Sequence, residues 1–192
     1  MAFLPTNYEM PKNGDSYYLK FEDGENRFRV LSDAAVGWLY WQDEQGNVLP
    51  NPVKGCKAIY VKNDEEIPEA IRRSPELNQK HFWAFVVWNY NANQVQIAKL
   101  TQNGLMKDIE RYIDNAQWGD PKGYDIVVHK RGEGLGTEYQ VTVNPKAPLD
   151  AGIMKLYQDM QIDLEALFRG EDPFKPAENV PVNPPEVAAP SR

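Results

Sequence analysis

One cysteine, two histidines and no long apolar run set the first limits on this chain of 192 residues. With Cys56 alone, no internal disulfide can form, which favours a reducing, cytoplasmic setting. No apolar stretch approaches the roughly 20 residues that a membrane-spanning helix needs. The opening segment MAFLPTNYEM has neither the basic start nor the apolar stretch of a secretory signal. Gly-Lys-Ser/Thr does not occur, and Gly132, Gly134 and Gly136 fall between two strand-like runs, so they read as a flexible turn and not as a phosphate loop. Cys56, His81 and His129 lack the close paired spacing of a zinc site, so no metal or other cofactor is expected. Asp114, Asp120 and Asp125 are the acids of a rival reading as a metal-dependent nuclease. Acids at a helix end and a turn commonly have no such role, and the expectation is a protein without catalytic residues.

Charge of one sign is also scarce where it would matter for duplex DNA. The net charge is -7. Acidic residues outnumber basic ones 5 to 2 over residues 1–25 and 8 to 4 over 149–192, while 26–148 holds 15 of each. Overall acidity argues against indiscriminate duplex binding. A neutral middle can still carry a local groove of Lys and Arg.

What is present centres on residues 81–100, HFWAFVVWNYNANQVQIAKL. Two β-rich runs flank Asn91-Ala92-Asn93, whose asparagines tolerate turn geometry, so the stretch reads as a hairpin. If its loop is even in length, one face carries Phe82, Ala84, Val86 and Trp88 with Val95 and Ile97, a core pattern. The other carries His81, Trp83, Phe85, Val87 and Asn89 with Gln94, Gln96 and Ala98. An odd loop would exchange the candidates for Phe82 and Trp88. A face that mixes large aromatics with polar groups is suited to stacking flat rings such as nucleobases.

Upstream, 1–16 reads as an extended arm. YYLKF at 17–21 and RFRVL at 27–31 read as a second hairpin about Asp23-Gly24, with Arg27 and Arg29 pointing outward. A strand dense in Trp38, Tyr40 and Trp41 follows, with Trp38 and Tyr40 favoured as exposed. Residues 43–80 form an irregular insertion. Downstream, Thr101 is placed to cap a helix carrying Leu105, Ile109, Tyr112 and Ile113. Strands follow at 124–131 and 138–143, then a helix over 150–169 with Gly170 at its C-cap, then a disordered Pro-rich acidic tail at 171–192. The expected organisation is an arm (1–16), a domain (17–148), a C-terminal helix segment (149–170) and the tail.

With strands at 26–42, 81–90, 94–100, 124–131 and 138–143, the chain is mainly β (α+β). The order is that of a five-stranded OB-type Greek-key barrel with a helix between strands three and four, an insertion between strands one and two, and a C-terminal helix. Another small barrel or an open α+β sheet fits the same order. In the barrel, Arg27 and Arg29 would sit beside Trp83 and Phe85, and the insertion and the glycine loop after Lys130-Arg131 would flank a groove. Lys99 belongs to the same set, although by parity it falls on the core-like face.

The segments YLKFEDGENRFRVLSD, KHFWAFVVWNYNANQVQIAKLTQNGLMKDIERYI, WGDPKGYDIVV and GLGTEYQVTVNPKAP resemble bacteriophage single-stranded DNA-binding proteins, including the helix-destabilising proteins of T-even phages. The resemblance spans roughly residues 17–150. It implies an OB-fold and cooperative, largely sequence-independent coating of single strands in replication, recombination and repair in the cytoplasm of an infected host. It also implies replication or recombination partners meeting the C-terminal segment, and self-association along DNA. Two features depart from it: the T-even insertion holds zinc through Cys and His where 43–80 offers only Cys56, and the tail lacks a dense acidic run. The rival of a different kind is an OB-type protein-interaction module, since tryptophans and arginines also anchor protein interfaces.

Overall fold

The computed structural model describes residues 17–74 and 79–174. The expected N-terminal arm, and the tail from residue 175, lie outside the described residues. Within them the protein is mainly β, an antiparallel sheet of eight strands with four short helices.

The sheet is assembled around β5, Lys80–Asn89. It forms the predicted hairpin with β6, Gln94–Leu100, in a register running from Asn89↔Gln94 to Trp83↔Leu100. Asn93 takes φ 52, the left-handed conformation that asparagine tolerates, and the Asn91 backbone N–H donates to Asn89 Oδ1 at 2.9 Å. The other edge of β5 is shared. β1, Gly24–Val30, pairs with its C-terminal part (Arg29↔Trp88), and β2, Ala35–Gln42, with its N-terminal part (Val36↔Trp83, Trp38↔His81). The expected continuous first strand is therefore two strands joined by a bend. Leu31 and Ser32 hold that bend to β5: the Leu31 N–H donates to the Val86 carbonyl and the Val86 N–H to Ser32 Oγ, at 2.8 and 2.9 Å.

β3 (Val48–Leu49) and β4 (Lys57–Val61) both pair with β2, and the short helix α1 (Glu69–Arg73) follows, so the 43–80 insertion carries structure of its own. α2, Asn103–Ile113, comes after β6. Its N-cap is Gln102 without a side-chain cap, so Thr101 does not cap it. β7, Asp125–Arg131, lies along the free edge of β1, and β8, Glu138–Val143, along β7. Among the described residues no ladder joins β6 to β8, so the sheet is open where the expected barrel would close. Residues 17–21 do not pair with β1 as a hairpin. They run beside β6 instead, with Tyr18 bridged in parallel to Ile97 and the Leu19 N–H bonded to the Ile97 carbonyl at 2.8 Å.

The four-residue loop 90–93 is even, so the parity of the two hairpin faces holds, but both faces are covered. One packs Phe85, Val87, Ala98 and Leu100 against Phe28, Tyr124, Ile126 and the Leu105, Met106 and Ile109 stripe of α2. Its polar members are not an open surface: Asn89 Nδ2 donates to Gln96 Oε1 at 2.8 Å, and both residues are buried. The opposite face packs Phe82, Ala84, Val86, Val95 and Ile97 beneath the C-terminal segment.

That segment is two helices, not one. α3, Ala151–Met160, starts with Asp150 accepting from the Gly152 N–H and stops where Gln161 turns left-handed at φ 47. α4, Ala166–Arg169, ends at Gly170, φ 69. Between them Ile153, Tyr157, Leu164, Leu167 and Phe168 cover the sheet. Gly37 allows the closest approach: a Cβ there would fall well under 3 Å from the Val61 carbonyl oxygen and against Phe168 and Phe82. A third cluster, Tyr40, Val61, Ile67 and Ile71, seats the insertion on β2.

Candidate nucleic-acid interface

Alternation along a strand puts Val36 and Trp38 of β2 on one side, and the cross-strand register sets His81 opposite Trp38 and Trp83 opposite Val36. Four side chains thus share one face of the β2–β5 ladder at the margin of the packed interior, Trp83 against the first cluster and Trp38 against the third. The Trp38 and His81 rings meet at 5.0 Å between centroids, tilted by 59°. They border a cleft of about 590 Å³ lined by Lys80, Thr101, Asn103 and Lys107. Trp38 is half-buried and both lysines are exposed. Neither lysine has a salt-bridge partner among the described residues. His81 Nδ1 is buried with no hydrogen-bond partner there. A ring that offers a face, flanked by unpaired cations, is the chemistry that takes a base on the ring and a phosphate on the lysine.

A second cleft of about 320 Å³ follows on the same face, with Trp83 and Phe85 at its floor, Ile109 and Ile113 of α2 on one side and the β1–β2 bend on the other. An exposed ion pair closes its rim: Lys122 Nζ lies 2.5 Å from Asp33 Oδ1 and 3.6 Å from Asp120 Oδ2. The hydrogen bond from Lys122 holds the Asp33 carboxyl below its ordinary range, and the same bond raises Lys122.

The other expected contacts have different surroundings. Arg29 is 2% exposed and bonds Asp125 through Nε at 2.6 Å, with Nη1 donating to the Ala147 carbonyl at 3.0 Å. Arg27 Nη2 reaches the same carboxylate at 2.5 Å and lies 4.2 Å from the centre of the Tyr90 ring, leaving its side chain 43% exposed. The two arginines come together, but on Asp125 and not beside Trp83 and Phe85, because β2 occupies that part of the β5 edge. Burial pushes the Asp125 carboxyl up, and the hydrogen bonds from Arg27 and Arg29 outweigh it and hold the group below its usual value. Phe85, 4% exposed, and Tyr40, 6% exposed, are core residues and offer no ring face. Lys99 donates to the Tyr60 hydroxyl at 2.6 Å and lies over the Tyr18 ring. Lys130 donates to the Phe21 carbonyl at 3.2 Å. Arg131 is exposed at the end of β7 and lines a separate cleft of about 100 Å³ with His129, Tyr139 and Gln140.

The chain is similar to a protein of Escherichia phage T5 described as a probable ssDNA-binding protein, with 26% identity over 140 residues. The match covers 65% of this chain and 53% of that relative, so the chain spans about half the length of the curated relative it matches. No known protein-family profile matches the chain, and no solved structure matches it.

Of the residues singled out in the sequence, Trp38 and Trp83 are the pair that the fold brings onto one accessible face. Lys80, Lys107, Lys122 and Asp33 were missed as members of the groove. Lys80 is legible, since it opens the aromatic strand. Lys107 and Lys122 come from α2 and from the turn before β7, and only the tertiary fold carries them to the rings.

Proposed function

We propose that this chain is a non-enzymatic single-stranded DNA-binding protein of a phage. It coats and protects single strands during replication, recombination and repair in the host cytoplasm, largely without regard to sequence. The observation that carries the reading is the Trp38–His81 ring pair beside Lys80 and Lys107, two exposed cations without a salt-bridge partner among the described residues. The likeness to a probable ssDNA-binding protein of phage T5 supports it independently. An OB-type ancestry is supported by strand order. Counting β1 and β2 as one bent strand, the sheet runs third, second, first, fourth, fifth, with α2 between the third and fourth. Replication or recombination proteins are the partners proposed for the C-terminal tail.

Binding of this kind needs no ATP. A single strand exposes its base faces and a duplex hides them, so a protein that binds one form shifts the equilibrium toward it. Each stacked base contributes about 1–3 kcal/mol, and each phosphate neutralised on a single strand adds about -0.7 to the salt slope.

The test is intrinsic tryptophan fluorescence during titration with an oligo-dT of about 30 nucleotides, with the matching duplex alongside and across a salt series. Quenching by the single strand alone, weakening as salt rises and reduced in Trp38→Ala, is the expected result. No quenching, together with no retardation of the labelled oligonucleotide at low salt, would overturn the reading.

A further inference from the structure

Resting on the single-strand reading above, we propose that the cleft over Trp83 is a second base pocket, taking the nucleobase next along the strand from the one on Trp38. Lys122 is its phosphate contact, and Asp33 holds that lysine until a phosphate displaces the carboxylate.

The spacing comes from the β2–β5 ladder. Trp83 stands two residues from His81 on β5, and Val36 two residues from Trp38 on β2. Two residues along a strand advance about 6.6–6.8 Å. Stacked bases in a duplex advance about 3.4 Å per strand. Neighbouring bases can therefore occupy neighbouring slots only after they are pulled off one another, which a single strand permits and a duplex resists. The floor of the second cleft has the matching chemistry. Trp83 is half-buried and Ile113 at the side is 36% exposed, and Val36, paired with Trp83 in the ladder just outside the cleft, is 45% exposed. A ring lying on Trp83 would cover apolar surface that now faces water.

Charge at the rim points the same way. Lys80 and Lys107 stand at the first cleft and Lys122 at the second, so cations border both slots. Lys122 differs from the other two in being bonded to a carboxylate whose side chain is itself 93% exposed. Among the described residues the Asp33 carboxylate bonds to no group other than Lys122. A phosphate can take its place on Lys122 by exchanging one exposed ion pair for another, with no change in the packed core.

The experiment measures binding of a fluorescein-labelled oligo-dT of about 12 nucleotides to the full chain by anisotropy, over a salt series. The proteins are wild type, Trp38→Ala, Asp33→Asn, Lys122→Ala and the Asp33→Asn/Lys122→Ala pair. Asp33→Asn should bind about 2- to 5-fold tighter, the size of one exposed ion pair. Lys122→Ala should bind more weakly, with its salt slope shallower by about 0.7, and should abolish the gain from Asp33→Asn. Both substitutions are at the surface, so loss of folding does not confound them. If Trp38→Ala loses binding while all the Asp33 and Lys122 variants match wild type, the second pocket is overturned and the single-strand reading stands. If wild type binds no oligonucleotide, both fall.

Discussion

Arg29 and Asp125 face each other across the β1–β7 ladder, their Cα atoms in register and their side chains joined at 2.6 Å, with only 3% and 5% of those side chains exposed. Tyr90 donates its hydroxyl to the same carboxylate at 3.1 Å, and Arg27 bonds its other oxygen. A carboxylate so enclosed serves the fold. Removing it would leave Arg29 charged and buried, which typically costs about 3–5 kcal/mol. Asp125→Ala should lower stability by that order in urea denaturation, and Arg27→Ala by much less, because Arg27 is nearly half exposed.

The same group sets an acid limb. Its pKa is lowered in the folded protein, so its contribution is fully present above the unfolded value near 3.8 and is lost as pH falls through the folded value. Thermal melts should therefore show stability declining below about pH 4. In Asp125→Asn the part of that decline due to this carboxyl should be gone, the variant starting lower and changing less with acid.

Phe85 separates core from contact. At 4% exposure and packed on Phe28, it should cost about 3–5 kcal/mol when truncated to alanine. The fraction that remains folded should lose only the small part of oligo-dT binding that Phe85 supplies beneath Trp83 in the second cleft, far less than Trp38→Ala loses. Weakened binding with unchanged stability would return Phe85 to the stacking surface.

Gly37→Ala places a methyl group against the Val61 carbonyl, a backbone atom that cannot swing aside. Overpacking of this kind costs about 1–3 kcal/mol. The variant should melt earlier, and amide exchange should rise first in β4 and α4, which contact each other and meet β2 at this point.

A chain ended near Pro148 would uncover Leu39, Phe82, Val86, Val95 and Ile97, which the C-terminal segment covers. The expectation is aggregation or dye binding to exposed apolar surface, not a well-behaved shorter domain.

Much of the fold was legible. The β5–β6 hairpin announced itself through β-rich runs about an asparagine turn, and α2 through the helical spacing of Leu105, Ile109, Tyr112 and Ile113. The break at Leu31–Ala34 was not legible, because it is fixed by bonds to Val86, more than fifty positions away. Asn89 and Gln96 misled for a related reason: two polar residues on an aromatic strand suggest an open face until the register shows that they satisfy each other. For the site, Trp38 and Trp83 could be picked from the strand pattern. Arg29 could not be separated from a phosphate contact, since nothing near it in sequence reveals Asp125.

β5 has β6 along one edge, β1 and β2 sharing the other, and a packed layer on each face. In the order of events during folding, this makes the hairpin the cheap step, closing a loop of four residues, while both long-range pairings must wait for it. The reverse holds on opening. The insertion, the C-terminal helices and β8 border the sheet without pairing with β5, whereas β5 is released only when β1, β2 and β6 have let go and both packed layers have lifted, so its amides should exchange among the last and the groove beside it rests on a late element to be lost.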